Sequence, residues 1–144
     1  CSAFGPCIEA VARRHAHIPV LKPNEAMVAE AARLGRRIGL VATFAPTLQS
    51  MPAEFPAGVA IDCELAEGAL AALDVGDTAR HDALAVAAAE RLRDRGCGAI
   101  ALAQFSLARA APDVAAAVAL PVLTTVGSAV AELRSRLLGA PQKR

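Results

Sequence analysis

Cysteine is scarce in this sequence, charge of either sign does not prevail, and long apolar runs are missing. The four cysteines, Cys1, Cys7, Cys63 and Cys97, form no CxxC pair. They are too few and too scattered to staple a chain of 144 residues, which is long enough to bury a core unaided. Reduced thiols and no metal centre are the expectation. Fifteen basic and fourteen acidic side chains leave a formal charge of +1, which excludes the electrostatic footprint of a nucleic-acid or anionic-membrane binder. The alanine-rich run from Ala83 to Ala89 is cut short by charge, far below the roughly 20 apolar residues that span a bilayer. The sequence opens with no basic segment leading into an apolar one. A cytoplasmic protein acting on a small molecule is therefore expected. A glycine-rich phosphate loop is absent as well, because Gly96-Cys97-Gly98 precedes an apolar strand-like run where a dinucleotide loop would follow one. No cofactor is implied.

What is present is an alternation of short apolar, β-branched runs with helical patterns, the mark of an α/β fold with a parallel sheet flanked by helices. Strands are expected at Ile18–Leu21, Arg37–Thr43, Val59–Leu65, Ala99–Ala103 and Val122–Thr125. Helices are expected at Pro6–His15, Asn24–Leu34, Pro46–Met51, Glu67–Leu73, Thr78–Arg95, Leu107–Ala117 and Ser128–Leu138. The helix from Thr78 has Asp77 as N-cap, arginines in its last turn and Gly96 as its stop.

The chain also repeats itself. Ile18-Pro19-Val20-Leu21 recurs as Leu120-Pro121-Val122-Leu123, and at the same offset of 102 Val28-Ala29-Glu30 falls on Val130-Ala131-Glu132. Upstream of the two prolines lie Cys1-Ser2-Ala3-Phe4 and Gln104-Phe105-Ser106-Leu107, each a loop entering a helix. Such a duplication predicts two similar halves whose strand-end loops face one crevice, with Cys1 and Gln104 looking into it. The opening Cys-Ser-Ala-Phe-Gly reads as a strand-to-helix loop without its strand, so the chain is expected to lack an N-terminal portion.

Cys1 lies a few residues before a helix that Pro6 can start. Free amides and the positive helix end lower a thiol pKa from about 8.5 toward neutrality, and the same amides hold carboxylates. Cys1 is thus the candidate acid/base or nucleophile. Ser2, Thr43, Thr47 and Ser106 place hydroxyls at carboxyl ends of expected strands, where they can hold carboxylate oxygens. Cys7, Cys63 and Cys97 read as small buried residues, and His15 and His17 as surface cations at a helix end. His81 is placed on an outer helix and discounted as well.

The run Ile18-Pro19-Val20-Leu21, Glu25-Ala26-Met27 and Leu34-Gly35-Arg36-Arg37-Ile38-Gly39-Leu40-Val41-Ala42-Thr43 resembles the aspartate/glutamate/hydantoin racemase superfamily. The similarity continues through Gly98–Ala103 and Pro121-Val122-Leu123. The resemblance implies pseudo-duplicated, racemase-like α/β domains with the active site between them, and one domain incomplete in this chain. Residues 1–35 would be a remnant of the first domain with a crossover helix, 36–125 the second α/β domain, and 126–144 a helix returning to the first. Cys1 would match the first catalytic cysteine, in a cofactor-independent enzyme. The second catalytic cysteine is matched by Gln104, which can donate a hydrogen bond but cannot carry a proton to and fro. Since two-base racemisation needs a group on each face of the carbon, a one-thiol isomerase or decarboxylase joins racemase as an expectation. The alternative is a non-catalytic carboxylate-binding relative that lost the second cysteine. A small carboxylate or hydantoin-like substrate is implied, and a homo-oligomer fits the family pattern.

Overall fold

The computed structural model describes residues 4–22 and 24–139. Four parallel strands, β1 (Ile38–Ala42), β2 (Ile61–Leu65), β3 (Ala99–Leu102) and β4 (Val122–Thr124), form one sheet in the order β2-β1-β3-β4. Helices α1 (Gly5–Arg14), α2 (Glu25–Arg33), α3 (Ala45–Ser50), α4 (Ala69–Asp74), α5 (Thr78–Asp94), α6 (Ala111–Val118) and α7 (Thr125–Leu138) precede, connect and follow them. This is the expected α/β architecture. β1 and β3 are buried along their whole length, as strands covered on both faces must be.

Alternation along those two strands divides the core. Val41, Ile100 and Leu102 face Ala85, Ala88 and Leu92 of α5 and Val114 of α6. Ile38, Leu40, Ala42, Ala99 and Ala101 face Met27 and Ala31 of α2, together with Met51 and Phe55. Gly39 lets α5 come close, because a Cβ placed there would meet Leu92 Cβ at 2.9 Å.

Helix α5 forms as its end signals indicate. Asp77 accepts the Arg80 N–H at 3.1 Å. At the other end Gly96, with φ +85°, and Cys97 donate their N–H groups to Arg93 and Leu92 carbonyls, the paired bonds of a glycine-ended helix. β2 is an edge strand, and charged side chains guard it. Glu64 accepts from Arg91 Nε at 2.6 Å and Arg95 Nη2 at 2.7 Å, while Asp62 pairs with Arg37 at 3.0 Å. Burial alone would raise the Glu64 carboxyl, but the bonds from the two arginines outweigh it and hold it below the usual range.

Several sequence expectations need correction. Ile18–Leu21 is not a strand: the chain turns there, with Ile18 N–H donating to His15, and Ile18 is half exposed. A strand needs a ladder partner, and no described residue supplies one. The expected helix 107–117 is instead a 3₁₀ segment, Phe105–Ala110, followed by α6, whose first turn holds Pro112. α7 starts three residues early, at Thr125, because Thr124 caps it by accepting the Gly127 N–H at 2.8 Å. The repeated segments Val28–Glu30 and Val130–Glu132 do lie on helices, α2 and α7, which pack together with Ser128 Oγ donating to Glu30 at 2.6 Å.

Candidate active site

In the order β2-β1-β3-β4 the chain leaves β1 toward one edge of the sheet and leaves β3 toward the other. The loops at the carboxyl ends of β1 and β3 therefore part, which opens a crevice at the place where ligands of parallel α/β sheets bind. A cleft of about 390 Å³ lies there, lined by the post-β1 residues Phe44, Thr47, Ser50 and Met51, the post-β3 residues Ala103–Ser106, and Asn24.

One contact ties the two loops. Gln104 Oε1 accepts the Thr43 backbone N–H at 2.6 Å and the Thr43 hydroxyl at 3.1 Å. A backbone N–H only donates, so the atom facing it must be the carboxamide oxygen. The Nε2 amide is the donor end, and no hydrogen bond within the described residues takes it up. Thr43 itself is buried and absent from the cleft wall. Its place is behind Gln104, holding the carboxamide.

Of the residues singled out in the sequence, Thr47, Gln104 and Ser106 come together on the cleft wall. Cys1 and Ser2 lie outside the described residues. Within the described residues the hydroxyls of Thr47 and Ser106 make no hydrogen bond. Ser50 turns its hydroxyl back to the Pro46 carbonyl at 3.1 Å, an i−4 bond inside α3. Asn24, just before α2, donates to the Glu54 carboxylate at 3.2 Å. None of the described lining residues is ionisable, so they supply hydrogen-bond donors and apolar surface but no proton carrier.

Sequence reasoning missed Phe44, Phe105, Met51, Ser50 and Asn24. A signal for the phenylalanines exists: β1 and β3 pair at an offset of 61, and in sequence the same offset separates Phe44 from Phe105, each three residues past the last ladder pair.

Two of the cysteines expected to be buried are exposed, Cys7 and Cys63; Cys97 is buried. Cys7 sits on α1, which buries none of its residues, and Cys63 on edge strand β2, its thiol 4.0 Å from the Leu48 carbonyl. Burial and the neighbouring Asp62 push the Cys63 and Cys97 thiols up, away from thiolate reactivity, and neither lines the cleft. His81 lies on α5 and does not line the cleft. It is fully buried in the stripe His81, Ala85, Ala88 and Leu92 of α5. Its Nδ1 lies 2.7 Å from Asp82, which also pairs with Arg109 at 3.0 Å. Among the described residues no helix is long and apolar enough to cross a membrane, and no group of three His, Cys, Asp or Glu side chains is placed to hold a metal ion.

Fold and cleft together define an open parallel α/β protein with a crevice at its strand switch. The family model for Asp/Glu/hydantoin racemase matches residues 1–133, and the chain belongs to that family. Among solved structures it is similar to the allantoin racemase from Pseudomonas fluorescens, with a TM-score of 0.60 and 20% sequence identity. The match covers 88% of this chain and 60% of that one, so the chain spans less than two thirds of the length of that structure. No curated protein matches the sequence.

Proposed function

We propose that the chain forms one wall of the active site of a cofactor-independent enzyme that acts at a carbon next to a carboxylate, with the Cys1 thiolate as acid/base or nucleophile. In this reading 36–125 is the second α/β domain, and 1–35 and 126–144 belong to the first. Ser2, Thr47 and Ser106 hold carboxylate or imide oxygens, Gln104 donates from Nε2, and Thr43 positions Gln104. The observation that carries the reading is the pinned carboxamide: its oxygen is committed to Thr43, so only a donor faces a substrate oxygen, at the switch-point crevice.

The lack of an ionisable residue on the described wall supports a one-thiol reaction, isomerisation or decarboxylation, over symmetric two-base racemisation. The same observation supports a second reading, a carboxylate-binding relative without turnover. Exposed free thiols at Cys7 and Cys63 favour a reducing compartment such as the cytoplasm, and a homo-oligomer would follow the family pattern.

The test is deuterium exchange at Cα, followed by proton NMR in D₂O, with amino acids, hydantoins and substituted malonates. Natural protein and Cys1→Ala are compared. Exchange or CO₂ release that depends on Cys1 supports the enzyme, and exchange with retained configuration identifies one-face chemistry. Ligand binding without exchange, equal in both proteins, overturns it in favour of the binding protein.

A further inference from the structure

Two phenyl rings stand at the cleft mouth, and the site as read above gives them no role. Phe44 is 50% exposed and Phe105 is 57% exposed, although this chain has only four aromatic residues besides histidine, all phenylalanine. Both line the cleft. They occupy matching positions, each beginning or preceding the first turn after a central strand: Phe44 comes just before α3, and Phe105 opens the 3₁₀ segment.

β1 and β3 are hydrogen-bonded neighbours as far as Val41 and Leu102; just beyond, the Thr43 N–H meets the Gln104 side chain, and Phe44 and Phe105 are the next residues of the two loops. Adjacent strands run about 4.8 Å apart, so the two rings follow the ends of neighbouring strands and line one cleft. Met51, buried at the cleft floor, adds a polarizable thioether that suits an aromatic partner. The polar groups, Gln104, Thr47 and Ser106, share the same wall. A ligand lying in this cleft meets donors for oxygens and, beside them, two rings and a sulfur.

We infer that Phe44 and Phe105 form an apolar clamp that selects carbon acids carrying an aryl or bulky hydrocarbon substituent over those with a polar one. The inference rests on the proposed function for the reacting end of the substrate and adds the class of its side group. Two half-exposed rings lose unfavourable contact with water when a flat hydrocarbon group slides against them, and stacked or edge-on ring contacts add to the gain. A hydroxymethyl or carboxymethyl group would gain neither and would lose its own hydration.

Phenylmalonate and hydroxymethylmalonate, and benzylhydantoin and hydroxymethylhydantoin, are matched probes. Saturation-transfer NMR reads their binding and Cα deuterium exchange reads their turnover, in the natural protein and in Phe44→Ala, Phe105→Ala and Phe105→Leu. The aryl member of each pair is expected to be preferred at least tenfold. Each alanine variant should weaken the aryl member more than the polar one, cutting that preference about fivefold, with Phe105→Leu in between. Unchanged far-UV circular dichroism verifies folding.

Equal handling of aryl and polar probes by the natural protein overturns the clamp. So does an equal loss of both in the alanine variants, which is the result expected if another protein segment or a second copy covers the rings. The two readings fail separately. Ring-dependent aryl binding with no exchange sinks the enzyme and keeps the clamp; Cys1-dependent exchange without aryl preference does the reverse.

Discussion

Replacing Gln104 separates two jobs that its side chain performs at once. Gln104→Leu keeps the volume but removes Oε1, which takes the Thr43 N–H at 2.6 Å and the Thr43 hydroxyl at 3.1 Å. Thr43 is only 7% exposed, so its N–H is left buried and unpaired at about 1–3 kcal/mol, whereas the hydroxyl can rotate to another acceptor and costs less. The sum is about 2–3 kcal/mol. For a chain of this size that lowers Tm by roughly 10 °C.

Gln104→Glu keeps an oxygen in place for both donors, and a carboxylate accepts more strongly than an amide. Its stability should stay within about 0.5 kcal/mol of the parent. It loses the Nε2 donor, however, and puts a negative charge where a substrate carboxylate would lie. Binding of a carboxylate ligand should therefore weaken at least tenfold, about 1.4 kcal/mol. The sequence contains no tryptophan or tyrosine, so urea unfolding followed by far-UV circular dichroism is the suitable stability assay. Equal stability loss in the two variants, or no loss in Gln104→Leu, would refute the claim that this contact fastens the β1 and β3 loops.

Two further outcomes follow from the sheet. Gly39→Ala places a Cβ against Leu92 Cβ at 2.9 Å and Ile100 Cδ1 at 3.0 Å. Because the first of these is bound directly to the α5 backbone, the helix must shift, and about 1–3 kcal/mol should be lost in urea titration; a neutral result would mean α5 packs more loosely than described. Glu64 is held below its ordinary pKa by Arg91 and Arg95 against the opposing effect of burial. A depressed folded-state value stabilises the fold above the unfolded pKa, near 4.3, and that contribution disappears as pH falls through the lower folded value. With both arginines about half exposed, Glu64→Gln should cost only about 1 kcal/mol at neutral pH. The difference from the parent should vanish in acid, and a difference that persists at low pH would count against the ion pairs as its source.

Local physics made much of this architecture readable. Ile38–Ala42 and Ala99–Leu102 are apolar at every position, which only a strand covered on both faces tolerates. The Asp77 and Gly96 signals bound α5 because they satisfy backbone groups within a few residues of themselves. Thr47, Gln104 and Ser106 were identifiable as site candidates because carboxyl ends of parallel strands have one geometric fate. Ile18–Leu21 has the composition of β4 but no ladder among the described residues, and composition cannot create a partner. The burial of His81 in the inward stripe of α5 follows from packing, which the polarity of a histidine does not reveal.

The sequence by itself determined the alternation of strand and helix, the helix ends and the membership of a family, since each depends on neighbours in the chain or on residues compared one at a time. Tertiary structure alone decided which loops part at the strand switch, that Thr43 serves Gln104 across 61 intervening steps of chain, and that Phe44 and Phe105 emerge on neighbouring strands. These depend on strand order and register, which arise from how the whole sheet buries both its faces.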